Sequence, residues 1–414
     1  MHMSMAKLAV VALATATTTV SSVPAPNTPN VASVGGIVKM IRQCGSTMYA
    51  VGTFTSIGSP GHTAVTRNRA VSFDMVSDAV SSWDPNVNGE VDSIAFTPDC
   101  ADAYLSGSFT QVGTAAASNM AEVNTVTGAV VPAFSNKAGA KVDMLLYAHG
   151  HLLAGGHFKT IGGSTGSTAS YLTSLNPVTG KPDGYLKLAV SGTYTNDVTH
   201  IYKMFLSPAG DRVAVDGTFT SIGGQPRRQA FVLDLGATSA TLDAWYAPAL
   251  DQNCKILTEQ FYAKGLGWSP DGSSLYIAST GYKGATLCDS VAKFSSAAAG
   301  GQTPVWINYT GCDSLYSVVA SGNDVYVGGH NRWLNNPSGC DKAGPGAVSR
   351  PGIGDVDPTT GLATSWDPTR SRGHGAEDVF IDSAGDLWVS SDAPTGAVKC
   401  GGAYHPGICE FPHS

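Results

Sequence analysis

Charge is scarce in this chain, and positive charge is the scarcer sign. Charged residues make up 13% of 414, with 24 Lys and Arg against 31 Asp and Glu, for a net charge of -7. A nucleic-acid partner requires a basic stripe that neutralises phosphates, so no nucleic acid is expected. Long apolar runs are lacking too. The apolar core of the leader-like start, Leu8 to Ala16, falls far short of the ~20 residues that span a bilayer, and no later stretch is long enough. The chain is therefore not expected to be membrane-spanning. None of the eight cysteines sits in a CxxC pair, and no Ser-His-Asp grouping is legible. No cofactor is implied, and chemistry that would make the chain an enzyme is thinly marked.

Glycine, by contrast, is abundant at 49 residues, and repetition is plain. Gly52-Thr53-Phe54-Thr55-Ser56-Ile57-Gly58 returns letter for letter as Gly217-Thr218-Phe219-Thr220-Ser221-Ile222-Gly223, 165 residues on, which is three steps of 55. Near-copies start at Gly107 and Gly156. A unit recurring at this period signals a solenoid, propeller or array. Each unit offers four strand-like pieces. The third is apolar and often alternating, as in Ala70-Val71-Ser72-Phe73-Asp74, and it recurs seven times, last at Gly407 to Phe411. An Asx-opened, Gly-closed turn follows, as in Asn124 to Gly128 and Asp357 to Gly361. The fourth piece centres on an aromatic: Trp83, Phe134, Tyr185, Trp245, Trp306 and Trp366. These regularly spaced rings read as core between neighbouring units rather than as a sugar-stacking platform.

The pattern predicts an all-β fold: a seven-bladed β-propeller with four-stranded antiparallel blades. The blades run over 37–90, 91–141, 142–197, 198–262, 263–313, 314–376 and 377–414. The last blade lacks a fourth strand, and residues 29–36 resemble the end of one, so an N-terminal strand is expected to close it and remove a free edge. Residues 1–30 read as a signal peptide and linker, with Lys7 ahead of the apolar core, and 31–414 as a single propeller. Secretion to an extracellular, oxidising setting would keep the eight cysteines as disulfides.

At Val325-Tyr326-Val327-Gly328-Gly329-His330, Gly344 to Ile353 and, more specifically, His330-Asn331-Arg332-Trp333-Leu334-Asn335-Asn336-Pro337, the chain resembles the secreted actinobacterial-type β-propellers built of delta-60-like repeats. The resemblance covers nearly all of 31–414. It implies the fold and export. Members of that largely uncharacterised family often carry a carbohydrate-binding module, which points to a glycan or an extracellular protein as ligand.

The candidate surface is the loop between the second and third strands of the sixth blade. Gly329 to Asp357 spans 28 residues where Gly107 to Asn124 and Gly217 to Asp234 span 17. It supplies His330, Arg332, Trp333, Asn335, Asn336 and Arg350, and the next blade's entry adds Arg370, Arg372 and His374. Trp can stack on a sugar, and Arg can grip a carboxylate in a fork. The bland alternative is a loop that folds on itself, with Trp333 buried and the asparagines bonding local backbone.

Aspartates recur where blades begin: Asp92, Asp143, Asp313 and Asp378. They either hold a cation such as Ca²⁺ at a channel mouth or accept backbone N–H groups in each inter-blade turn, and their repetition favours the second. His149 and His151 lie at the opposite end of a strand from His157, so no metal site is expected. Pairing cysteines by equivalent position suggests Cys44–Cys100, Cys254–Cys312, Cys288–Cys340 and the local Cys400–Cys409, out of roughly a hundred possible connectivities. The function expected is a secreted, non-catalytic binding module. The alternatives are a polysaccharide-acting hydrolase or lyase and a structural subunit of a secreted assembly.

Overall fold

The structure, a computed structural model, describes residues 19–31, 36–135, 137–193, 197–252, 254, 262–282, 286–372, 375–392 and 398–413. The chain is all-β. Its helical content among the described residues is two short 3-10 turns, Ser167–Ala169 and Pro248–Asp251.

Seven antiparallel sheets repeat one arrangement. Sheet one comprises Val38–Cys44, Thr47–Gly52 and Ala70–Asp74; sheet two, Glu90–Phe96, Asp102–Ser108 and Met120–Asn124. Sheet three comprises Val142–Ala148, His151–Gly156 and Leu172–Leu175. Sheet four adds Ala240–Leu242 to His200–Leu206, Arg212–Thr218 and Ala230–Leu235. Sheet five adds Trp306–Tyr309 to Tyr262–Trp268, Ser274–Thr280 and Ser290–Ser295. Sheet six holds Leu315–Ala320, Val325–Gly329 and Ile353–Val356, and sheet seven Val379–Ile381, Leu387–Ser390 and Ile408–Phe411. The expected fourth strand is a full strand only in sheets four and five. In sheets one, two, three and six it shrinks to a single bridge, such as Phe73 to Val80 and Val123 to Val130. Prolines just beyond these bridges, such as Pro85 and Pro132, cannot donate to a ladder.

The first strands of successive sheets neighbour one another in chain order, and that of sheet seven neighbours that of sheet one. Aromatics knit the junctions. Trp83, after sheet one, donates its indole N–H to the Asn124 carbonyl at the end of sheet two, 3.0 Å away. Trp245 reaches Ser295 at 3.0 Å, Trp306 reaches Pro358 at 3.0 Å and the Tyr185 hydroxyl reaches Gly236 at 2.8 Å. Each ring thus packs against the next sheet's third strand or the turn after it. The Asx turns form as the letters suggest: Asn124 Oδ1 accepts from Val126 and Thr127 N–H, and Asp357 Oδ1 from Thr359 and Thr360 N–H.

Sheet seven is completed from the other end of the chain. Val20 bridges His413, Ser21 N–H donates to Pro412 O at 2.8 Å and Ala25 N–H to Glu410 O at 2.9 Å. Val31 N–H donates to Pro406 O at 2.8 Å, while Asn30–Val31 also pairs with Ser56–Gly58. Residues 20–25, read in the sequence as leader and linker, therefore run along the last strand, upstream of the 29–36 segment expected there. Residues 1–18, most of the leader, and 32–35 lie outside the described residues.

Four disulfides form: Cys44–Cys100, Cys254–Cys288, Cys312–Cys340 and Cys400–Cys409. They suit an oxidising environment. The expected Cys254–Cys312 and Cys288–Cys340 pairs are corrected. In an antiparallel sheet the entry to the first strand and the loop into the third share one end. Cys254 thus meets Cys288 within sheet five, and Cys312 meets Cys340 within sheet six, with Cα separations of 5.9 and 4.9 Å. No helix among the described residues is long and apolar enough to cross a membrane.

Candidate functional site

The repeated Gly-x-Phe signature has a specific cause. Gly52, Gly107, Gly156, Gly217 and Gly329 each end or nearly end a second strand, and a Cβ at any of them would strike a carbonyl oxygen at the entry to the neighbouring first strand. The first strand comes this close because it is bulged at that point. Register slips between Val38 and Met40, Val91 and Ser93, Val142 and Met144, Ile201 and Lys203, Ala263 and Gly265, and Leu315 and Ser317. A bulge leaves one residue without a ladder partner and re-aims its side chain. The six residues so placed are Lys39, Asp92, Asp143, Tyr202, Lys264 and Tyr316, and all six line one cavity of about 690 Å³. Glu377 and Asp378, at the entry to sheet seven, line it as well.

Charge is divided around this ring. Lys141 Nζ lies 2.9 Å from Asp92, 3.5 Å from Asp143 and 3.5 Å from Glu90, and Lys39 lies 3.7 Å from Glu90. Burial pushes Asp92 up to about 8 and Asp143 up to about 7, with Lys141 opposing both. Burial is the largest single influence on Glu90 and works to raise it, but Lys141, the Asp92 hydrogen bond and Lys39 together outweigh burial and that carboxyl is held low. Across the cavity the Lys203 ammonium donates to the Tyr316 carbonyl at 2.8 Å and the Glu377 carbonyl at 3.2 Å. Lys264 Nζ rests 3.4 Å from the Tyr202 ring centroid, and burial brings it down to about 8. Behind this wall His157 and His200 stack at 4.0 Å. Burial lowers both, His200 to about 4.

The recurring aspartates separate into two groups. Asp378, though it lines the cavity, accepts from Ile41 N–H at 3.2 Å and pairs with Arg42 at 2.5 Å, and Asp313 is gripped by Arg332, so both carboxylates are engaged by an arginine. Asp92 and Asp143 face Lys141. No cluster of three or more His, Cys, Asp or Glu suited to a metal occurs among the described residues. His151 stacks on Tyr185 at 3.9 Å and bonds Asp183 at 2.6 Å, away from His157.

The long loop of sheet six is held largely by its own polar side chains. Arg332 donates to both Asp313 oxygens and to Asp341, and its guanidinium lies over the half-buried Trp333 ring at 4.6 Å. Asn335 accepts from Asn308 and from Ala363 N–H. Asn336 is fully buried, donating to Thr310 O and Lys342 O and accepting from Gly344 N–H. Arg350 is buried against the Ser349 and Thr364 carbonyls, and Arg370 against Gly375 O and Ser391 Oγ. Arg372 is exposed, and His374 lies outside the described residues. Of the eight expected surface residues that are described, His330 alone lines the cavity, bonding Asp392 at 2.5 Å beside Tyr316.

Lys39, Tyr202, Lys264 and Tyr316 escape a reading by residue type because they share none. Their common mark is position: each follows the first buried apolar residue of its strand, as Asp92 follows Val91. One GxSxG does occur, Gly162-Gly163-Ser164-Thr165-Gly166. It lies in the hairpin of Thr160–Ile161 and Ser164–Thr165, not in a strand-to-helix elbow. No family model matches the chain, and no curated protein is similar to it.

Proposed function

We propose that the chain is a seven-bladed β-propeller of an exported protein, akin to the delta-60-like repeat propellers. We propose further that it acts as a binding module whose ligand enters the cavity at the blade axis. The cyclic order of the first strands and the completion of sheet seven by residues 20–31 support the closed ring. The observation that carries the binding reading is the convergence of six bulged residues on one cavity. Six repeats of a local irregularity all deliver polar side chains to one volume, within the size range of small-molecule sites. Its mixture of carboxyls, ammoniums and phenols suits a hydroxyl-rich ligand with a charged group, such as the end of a glycan. An enzyme acting on polysaccharide is the second reading, drawn from the opposed shifts of Glu90 and Asp92. Lys141 sits against both carboxyls, so they face a lysine and not an open cleft, and binding ranks first.

The test is retention of the protein on cellulose, chitosan and polygalacturonate. Asp92→Asn and Tyr316→Ala should weaken retention at least tenfold on the polymer that binds, without the loss of folded protein that would explain it, Asp92→Asn melting no lower than the parent. Arg332→Ala should instead lower the melting temperature with retention intact below it. Retention indifferent to the cavity variants but lost in Arg372→Ala would move the site to the sheet-six loop face.

A further inference from the structure

Four lysines line the cavity, and three have ordinary partners. Lys39 and Lys141 pair with carboxylates, and Lys203 is fixed by two backbone carbonyls. Lys264 differs. Among the described residues no hydrogen bond or ion pair reaches its ammonium. It rests on the face of Tyr202, with the Tyr262 ring centroid 5.4 Å away and Lys203 adding like charge. The bulge between Ala263 and Gly265 aims it into the cavity. An amine desolvated against aromatic rings and near a second cation is the environment that turns lysine into a nucleophile.

We propose that Lys264 is a covalent site for carbonyl compounds, forming a reversible imine with a small hydroxylated or carboxylated aldehyde or ketone. The proposal rests on the cavity being the ligand site. The lone pair of neutral Nζ attacks the carbonyl carbon, a C–N bond forms, and a proton passes from nitrogen to the carbonyl oxygen, giving a carbinolamine. Water then leaves with that oxygen, and C=N replaces C=O with one water released and no change of redox state. Burial brings Lys264 down to about 8, so about a tenth of it is neutral at pH 7, against about one part in three thousand for an ordinary lysine. Asp143 and Asp216, whose charges Lys264 senses, are both raised to about 7 by burial and so are poised to exchange protons near neutrality.

The experiment is reductive trapping. The full chain is incubated at pH 7 with glyceraldehyde or glyoxylate, the imine is reduced with borohydride, and the adduct is located by peptide mass spectrometry. The peptide carrying Lys264 should be labelled at least tenfold faster than those carrying the exposed Lys181 and Lys187. Labelling should rise with a midpoint near pH 8. Lys264→Arg should abolish it, and Tyr202→Leu should shift the midpoint upward by returning solvent to the amine. Preference between the two probes tells whether hydroxyls or a carboxylate are favoured. Label spread over surface lysines in proportion to exposure, or absent from Lys264, overturns the imine. Polysaccharide retention that still depends on Asp92 would in that case leave the cavity reading standing. Retention that ignores Asp92 and Tyr316 would remove that reading whatever the label shows.

Discussion

Asp216 has no solvent exposure. One carboxyl oxygen accepts from Lys203 N–H at 2.8 Å and the other is buried without a hydrogen bond. Burial pushes the group up to about 7, with Lys203 drawing it back. The folded pKa therefore lies above the unfolded one, and the native state holds an extra proton between about pH 4 and 7. Stability falls as pH rises through that window. Asp216→Asn should match the parent near pH 4 and exceed it by roughly 2–4 kcal/mol at pH 8, read from denaturant melts at both pH values. Identical pH profiles for the two proteins would show that the carboxyl is already ionised at no cost. Asp92 and Asp143 titrate in the same sense. Both were visible in the sequence as recurring entry aspartates, whereas Lys264 and Tyr202 were not, because a bulge leaves a position in the pattern but no preferred residue.

At the level of the strand, the signature glycines and the bulges are one feature seen from two sides. Gly107 is not in a left-handed conformation; it is required because a Cβ would collide with the Glu90 carbonyl and the Val91 Cα. Gly107→Ala should cost on the order of 1–3 kcal/mol and disturb the placement of Asp92, measurable as a lower melting temperature together with weaker ligand retention. A melt unchanged by this variant would mean that the sheet can slide to absorb the methyl. The repeat of this glycine was legible in the letters, while its reason was not, since close approach depends on the partner strand. The same holds for the cysteines. Equivalence between units found Cys44–Cys100 but misplaced two others, because the ends of strands within one sheet are nearer than matching loops of two sheets. Non-reducing peptide mapping should recover Cys254–Cys288 and Cys312–Cys340. Replacing both Cys254 and Cys288 with Ser should cost about 2–4 kcal/mol.

The whole molecule is joined where sheet seven meets sheet one. Arg42 pairs with Asp378, Gln43 exchanges hydrogen bonds with Ser383, and Val38 N–H donates to Ser391 O at 3.2 Å. Residues 20–31 cover the outer edge of the same sheet, with Thr28 bonding the buried Glu410 at 3.4 Å. Deleting residues 1–28 should bare the last strand, lower the melting temperature and shift the protein toward aggregates in size-exclusion chromatography. A monomeric truncation with an unchanged melt would show that the strap is dispensable. The repeat count and the idea of an N-terminal closing segment came from periodicity. The segment's true position did not, because proline-rich letters such as Val23-Pro24-Ala25-Pro26 look like linker until an edge is there to receive them.

A bulged residue belongs to no ladder, so its side chain is exempt from the pairing and packing rules that govern its neighbours. Six such positions around one cavity amount to a keypad: each key can be relettered, from Lys to Asp or Tyr, while the sheets that carry it stay as they are. If the cavity is the ligand site, the scaffold is thereby decoupled from what it recognises, and related chains with the same glycines and the same rings of tryptophan should differ in ligand chiefly through these six letters.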